Sequence, residues 1–100
     1  MSSSMIDIEL ANAVRVQVDD ESITVELDDG RRISLPVSWY PRLLHGGQKE
    51  RANYRLIGNG SGIHWPDLEE DISVQGLLAG HHSQESQSSL NKWLKKRELK

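Results

Sequence analysis

The chain has 100 residues, 36% of them hydrophobic, and a formal net charge of −3, which suits one domain with a single modest core. It has no cysteine, so disulfide scaffolds, thiolate zinc sites and thiol nucleophiles are excluded. No run approaches ~18 apolar residues, so no membrane-spanning helix is expected, and the start Met1-Ser2-Ser3-Ser4-Met5 has neither the basic end nor the apolar run of a secretory signal, which points to the cytoplasm.

Residues 1–11 read as a leader and 12–80 as one α+β domain. Ala13, Arg15 and Gln17 interleave with Val14, Val16 and Val18, a period-2 pattern that predicts a strand with one buried face. Ile23, Val25 and Leu27 alternate with Thr24 and Glu26 as a second strand. Asp29-Gly30 marks a tight hairpin, and Ile33 and Leu35 alternate with Arg32 and Ser34 as a third strand, ended by Pro36. These make a three-stranded antiparallel meander whose polar face carries Arg15, Gln17, Thr24, Glu26, Arg32 and Ser34. Ser38 before Trp39-Tyr40-Pro41 opens a short helix, closed near His45-Gly46-Gly47, and Gln48 to Asn53 adds a polar helical turn. Tyr54 to Ile57 and Ile63 to Trp65 pair as a second β-hairpin across Gly58-Asn59-Gly60-Ser61-Gly62. Residues 67–71 read as a polar, solvated connection. Asp71 or Ser73 caps a helix through Val74, Leu77 and Leu78, which ends at Gly80.

Residues 81–89 are all polar, four of them serine, and read as a linker. Residues 90–100 read as an amphipathic helix with Leu90, Trp93, Leu94 and Arg97 on one face. From Lys92 onward five basic residues stand against one acid, a net of +4, which leaves −7 on residues 1–91. An acidic body with a basic tail suggests docking on something acidic: the chain's own body, a second copy, a partner protein or nucleic acid. The acidic body argues against nucleic acid.

No motif in the chain carries recognisable chemistry. The glycine loop Gly58-x-Gly60-x-Gly62 runs from strand to strand, whereas phosphate loops run into a helix N-terminus; a turn needing positive φ accounts for it. Ser61 lacks the glycines of a nucleophile elbow, with Asn59 and Ile63 in their places. His64, His81 and His82 do not reproduce a metal-binding spacing, so no catalytic set, metal or cofactor is expected. The residues left to form a polar patch are Arg55, His64 and Asp67, with Asp71 nearby, set on the opposite face from Trp65.

Four blocks carry a resemblance: Trp39-Tyr40-Pro41-Arg42-Leu43-Leu44-His45, Arg51-Ala52-Asn53-Tyr54-Arg55-Leu56-Ile57-Gly58, Gly62-Ile63-His64-Trp65-Pro66-Asp67-Leu68, and Glu70-Asp71-Ile72-Ser73-Val74-Gln75-Gly76-Leu77-Leu78. Over roughly residues 12–80 the chain resembles the bacterial family known as domain of unknown function 2442. The resemblance implies a small α+β domain with a three-stranded sheet, a helix, a second hairpin and a helix. It implies no settled activity. Members are often encoded beside another small protein, and some are fused to a helix-turn-helix, which hints at a regulatory or antitoxin-like adaptor; the C-terminal extension here is too short to be such a DNA-binding domain.

The leading expectation is therefore a non-enzymatic protein-interaction or regulatory module, binding a protein partner or a second copy by laying Leu90, Trp93 and Leu94 into a groove. The alternative is a small enzyme or ligand-binding protein that uses the polar face around His64, Arg55 and Asp67.

Overall fold

The computed structural model describes residues 11–98; the expected leader, apart from Ala11, and the last two residues of the expected tail helix lie outside them. β1 (Ala13–Val18), β2 (Ser22–Leu27) and β3 (Arg32–Pro36) form an antiparallel sheet in that order. Cross-strand partners share a face. Val16, Val25 and Ile33 make one inward row, and Val18, Ile23 and Leu35 another. On the outer face Glu26 lies between Arg15 and Arg32, with oxygen–nitrogen distances of 4.0 and 3.8 Å.

One detail of β1 departs from strict alternation. The register slips between Ala13 and Arg15, so Val14 is the extra residue of a β-bulge. Val14 therefore points outward, 54% exposed, while Ala13 is buried, the reverse of the expected phase.

Pro36 ends β3, and a 3₁₀ turn (Val37–Trp39) leads into α1 (Pro41–Leu44) and α2 (Gln48–Ala52). The second sheet follows: β4 (Arg55–Ile57), β5 (Gly62–Trp65) and β6 (Glu70–Ser73), antiparallel and in that order. The expected hairpin is thus a three-stranded sheet. Its third strand occupies part of the stretch that read as a solvated connection, because a four-residue segment with Ile72 as its single apolar residue carries almost no strand signal of its own. Pairing with β5 places Ile72 opposite Ile63 and buries both.

α3 (Val74–Leu78) starts at Ser73, whose hydroxyl accepts from the Gly76 amide at 2.9 Å, as expected of a serine cap. α4 (Gln87–Glu98) closes the described chain. It begins three residues before the expected start, because Ser86 caps it: the Ser89 amide donates to Ser86 Oγ at 3.1 Å. The serine run that read as linker is a helix entrance. The fold is α+β.

Both sheets and α4 share one core. Ile23, Leu43, Ile63, Trp65 and Leu68 are fully buried in it, Leu90 and Trp93 belong to it, and Trp39 packs against it half-buried. The two sheets meet where the Val16 amide donates to Tyr54 Oη at 3.1 Å and where Gly60 abuts Ala13. Gly60 has φ +97°, and a Cβ there would lie 2.4 Å from the Ala13 carbonyl oxygen. Gly30 has a similar φ, +92°, with open space around it. We expect Gly30→Ala to cost about 1–2 kcal/mol of left-handed strain and Gly60→Ala clearly more, measured by urea unfolding. Equal losses at the two positions would mean that the seam between the sheets tolerates displacement.

Candidate functional site

The polar patch expected from the sequence divides in two. Arg55, His64 and Asp71 are register neighbours across β4, β5 and β6, so they form one row on the face opposite the buried Trp65. His64 Nδ1 and Asp71 Oδ1 are 2.6 Å apart. Asp67 is not in the row. It accepts from Asn53 Nδ2 at 2.9 Å and lines a recess of about 480 Å³ with Glu50, Trp93 and Arg97. Pro66 separates it from β5, so strand alternation no longer sets its direction.

The expected partner-binding helix lies on the body. Leu90 and Trp93 are buried in the core, Leu94 is half-buried against it, and residues 81–86 are bonded to the domain. The Ser83 amide donates to the Trp39 carbonyl at 3.0 Å, Tyr40 Oη donates to the His81 carbonyl, and the His82 ring stacks on Trp39 with centroids 3.8 Å apart. Two arginines clasp the segment further along. Arg42 on α1 donates from Nε and Nη2 to the two carboxylate oxygens of Glu85, and from Nη1 to the Glu69 carbonyl at 3.0 Å. Arg97 on α4 meets both oxygens of Glu50 on α2 at 2.9 and 3.0 Å. Both guanidinium groups also stand over the Trp93 ring, at 5.1 and 4.7 Å from its centre, within cation–π range.

Between β6, the start of α3 and residues 81–85 lies a cleft of about 550 Å³, lined among others by Tyr40, Arg42, Glu70, Ser73, His82 and Glu85. Its electrostatics are uneven. The hydrogen bonds from Arg42 hold the Glu85 carboxyl below its usual range. Burial pushes the Glu70 carboxyl up to about 7, against the opposing pull of the Asp71 amide and the Arg42 charge. Burial, and then the Glu70 charge, raise the Tyr40 phenol. Sequence patterning missed this cleft. Glu70 stands in the run Glu69-Glu70-Asp71, which reads as solvated, and only the pairing of β6 turns it inward. Asp71 belongs both to the cleft wall and to the His64 row.

Among the described residues no group of three or more His, Cys, Asp or Glu side chains could hold a metal ion, and no helix is long and apolar enough to cross a membrane.

Residues 13–83 match the model of DUF2442, a protein family of unknown function. The chain belongs to the DUF2442 family. Two solved structures share its fold. A crystal structure of a protein of unknown function from Rhodospirillum rubrum matches with TM-score 0.65 and 25% identity, covering 75% of this chain and 93% of that one. A solution structure of an uncharacterised protein from Chromobacterium violaceum matches with TM-score 0.65 and 22% identity, covering 91% of this chain and 86% of that one. No curated protein matches the sequence. The family match ends at Ser83, so Glu85 and α4 lie beyond the matched residues.

Two outcomes follow for this DUF2442 domain. Trp93→Ala should cost about 3–5 kcal/mol in urea unfolding, as for other buried aromatic truncations; a tail tethered free of the body would lose nothing. Glu70 has a folded-state pKa of about 7, above its ordinary value of 4.5, so the folded chain holds this proton more tightly than the unfolded chain. Its contribution is then fully present below pH ~4.5 and is lost as pH rises through ~7, with a ceiling of ~1.4 kcal/mol per pH unit. Glu70→Gln should therefore be more stable than wild type at pH 8, with the gain shrinking towards pH 5. A stability difference that stays constant across this window would contradict the desolvated carboxyl.

Proposed function

We propose that this DUF2442 protein is a non-enzymatic interaction module that presents the outer face of α4 to an acidic surface of a protein partner. One observation carries the reading: α4 spends its apolar side on its own body, and its outward side holds Lys92, Lys95 and Lys96, all exposed. Spacings of three and four residues put these lysines on one face. Lys96 makes one long contact, 3.8 Å to Glu69, and the row is otherwise open to solvent.

Docking by a bound, rigid helix differs from inserting its apolar side chains into a groove. Leu90 and Trp93 serve as the anchor that fixes the helix, and the lysines serve as the contact. A preformed helix loses little conformational entropy on binding. Surface lysines chiefly set association rate and partner choice. The −7 balance of residues 1–91 opposes a long, uniformly negative nucleic-acid backbone, so the lysine face suits an acidic patch confined to the contact on a protein partner. The finer reading, an antitoxin-like or regulatory accessory, draws its support only from the family resemblance.

The test compares the wild type with the triple variant Lys92→Ala, Lys95→Ala, Lys96→Ala as bait in a native-host lysate, after circular dichroism shows equal folding. We expect a stoichiometric acidic protein to be retained by the wild type and lost from the variant, with capture weakening as salt rises. Equal capture by both baits, or retention of nucleic acid in place of protein, would overturn the reading.

A further inference from the structure

We propose that the cleft between β6 and residues 81–85 is a binding site for an alkylammonium or guanidinium head group, with the Glu70 carboxylate as its counter-ion. The site is separate from the lysine face of α4 and does not depend on that face binding anything.

The first argument is an imbalance. Charged side chains that are withdrawn from solvent among the described residues have ion-pair partners: Arg51 has Asp20, Arg42 has Glu85, Arg97 has Glu50, and Glu26 has Arg15 and Arg32. Glu70 is the exception among the described residues. It is half-buried, accepts a hydrogen bond from the adjacent Asp71 amide at 3.2 Å, and has no cation within ion-pair distance. A desolvated carboxylate without a counter-ion is unfavourable, and a cation entering the cleft relieves that cost.

The second argument is the setting. Glu70 borders an open space of about 550 Å³, within the usual range for small-ligand sites. The one cation on its wall, Arg42, is already engaged by Glu85 and by the carbonyls of Leu68 and Glu69. The remaining groups on the cleft wall are compatible with positive charge. The wall includes the carboxylates of Asp71, which contacts His64, and of Glu69, which has Lys96 at 3.8 Å. Tyr40 donates its proton to the His81 carbonyl, which leaves its oxygen lone pairs as acceptors. His82, held by its stack on Trp39, adds a flat ring to the lining, against which an alkyl stem or a guanidinium plane packs. An anion would meet carboxylates here.

Such a head group comes from one of two sources, a free small amine or a lysine or arginine side chain of a partner protein. The probes are agmatine for the first and N-acetyl-arginine N-methylamide for the second, titrated into the full chain by calorimetry at pH 6 and pH 8. Because burial holds the Glu70 proton to about pH 7, binding must expel it at pH 6, and we expect affinity about tenfold higher at pH 8. Glu70→Gln should lose both the binding and its pH dependence, which separates Glu70 from His81 and His82 on the same wall. Asp29→Asn, in the distant β2–β3 turn, should bind as wild type does. If Glu70→Gln fails to fold, the Glu70 side-chain carbon signal in the wild type decides: agmatine should lower its titration midpoint. Tighter binding of agmatine would assign a free amine, and equal or tighter binding of the blocked arginine would assign a partner's side chain. No saturable binding of either probe, unaltered binding by Glu70→Gln, or an unmoved midpoint would overturn the proposal.

Discussion

The architecture turns on a buried guanidinium. Arg51, on α2, is 6% exposed, and its donors are directed at two separate parts of the chain. Nε and Nη2 meet the carbonyls of Leu43 and Leu44, both at 2.8 Å, at the end of the four-residue α1, where the last carbonyls lack the full set of intrahelical partners. Nη1 reaches Asp20 in the β1–β2 turn at 2.7 Å. The backbone carbonyl of the same residue accepts from Trp65 Nε1 at 3.0 Å. One residue thus joins both sheets and terminates a helix too short to satisfy itself. Burying an arginine is costly unless its protons are met, so these contacts fix one position of α1 and α2 relative to the sheets. The Asp20 side chain is 93% exposed, so its charge contributes little on its own; the carbonyl bonds inside the protein set the geometry.

Everything at the C-terminal end is built on that platform. α1 supplies Tyr40 and Arg42 next to its start, and α2 supplies Glu50. These three bind His81, Glu85 and Arg97, and Trp93 lies beneath both arginines. Charge and apolar burial act together: the rings and leucines supply the area, and the bidentate pairs supply direction. The cleft exists because this segment passes over β6 at a distance, held at its two ends by Trp39 and Arg42. Its electrostatic character follows from which groups those contacts use up. Glu85 takes the arginine, and Glu70 is left without one.

Much of the fold was legible in the sequence. The period-2 stretches, the Asp-Gly turn, the glycine turn and the Ser73 cap are local signals, and each corresponds to an element in the structure. Two of the misreadings share one cause. The Val14 bulge and β6 depend on partners distant in sequence, Leu27 and Glu26 for the bulge and Ile63 for β6, whereas the early start of α4 is a local cap by Ser86 inside a serine-rich run. The candidate site was legible only in part. Arg55, His64 and Asp71 do share a face, as alternation requires, while Asp67 follows a proline and takes its own direction. Glu70 had no signal of its own, since a glutamate between two acids looks solvated in any one-dimensional reading.

The sequence alone determined the class of this protein: a small α+β domain without cysteine, an acidic body and a basic amphipathic end. It did so because strand alternation, turn chemistry and helix periodicity are properties of neighbours along the chain. Tertiary structure decided which charges are spent and which are left over. It turned Trp93 from a free anchor into core, gave Arg42 to Glu85, and left the half-buried Glu70 carboxyl without a counter-ion among the described residues. Those outcomes depend on distances between residues such as Arg42 and Glu85, 43 positions apart, and the strength of a charge pair depends on the separation and solvent access that only the folded chain sets.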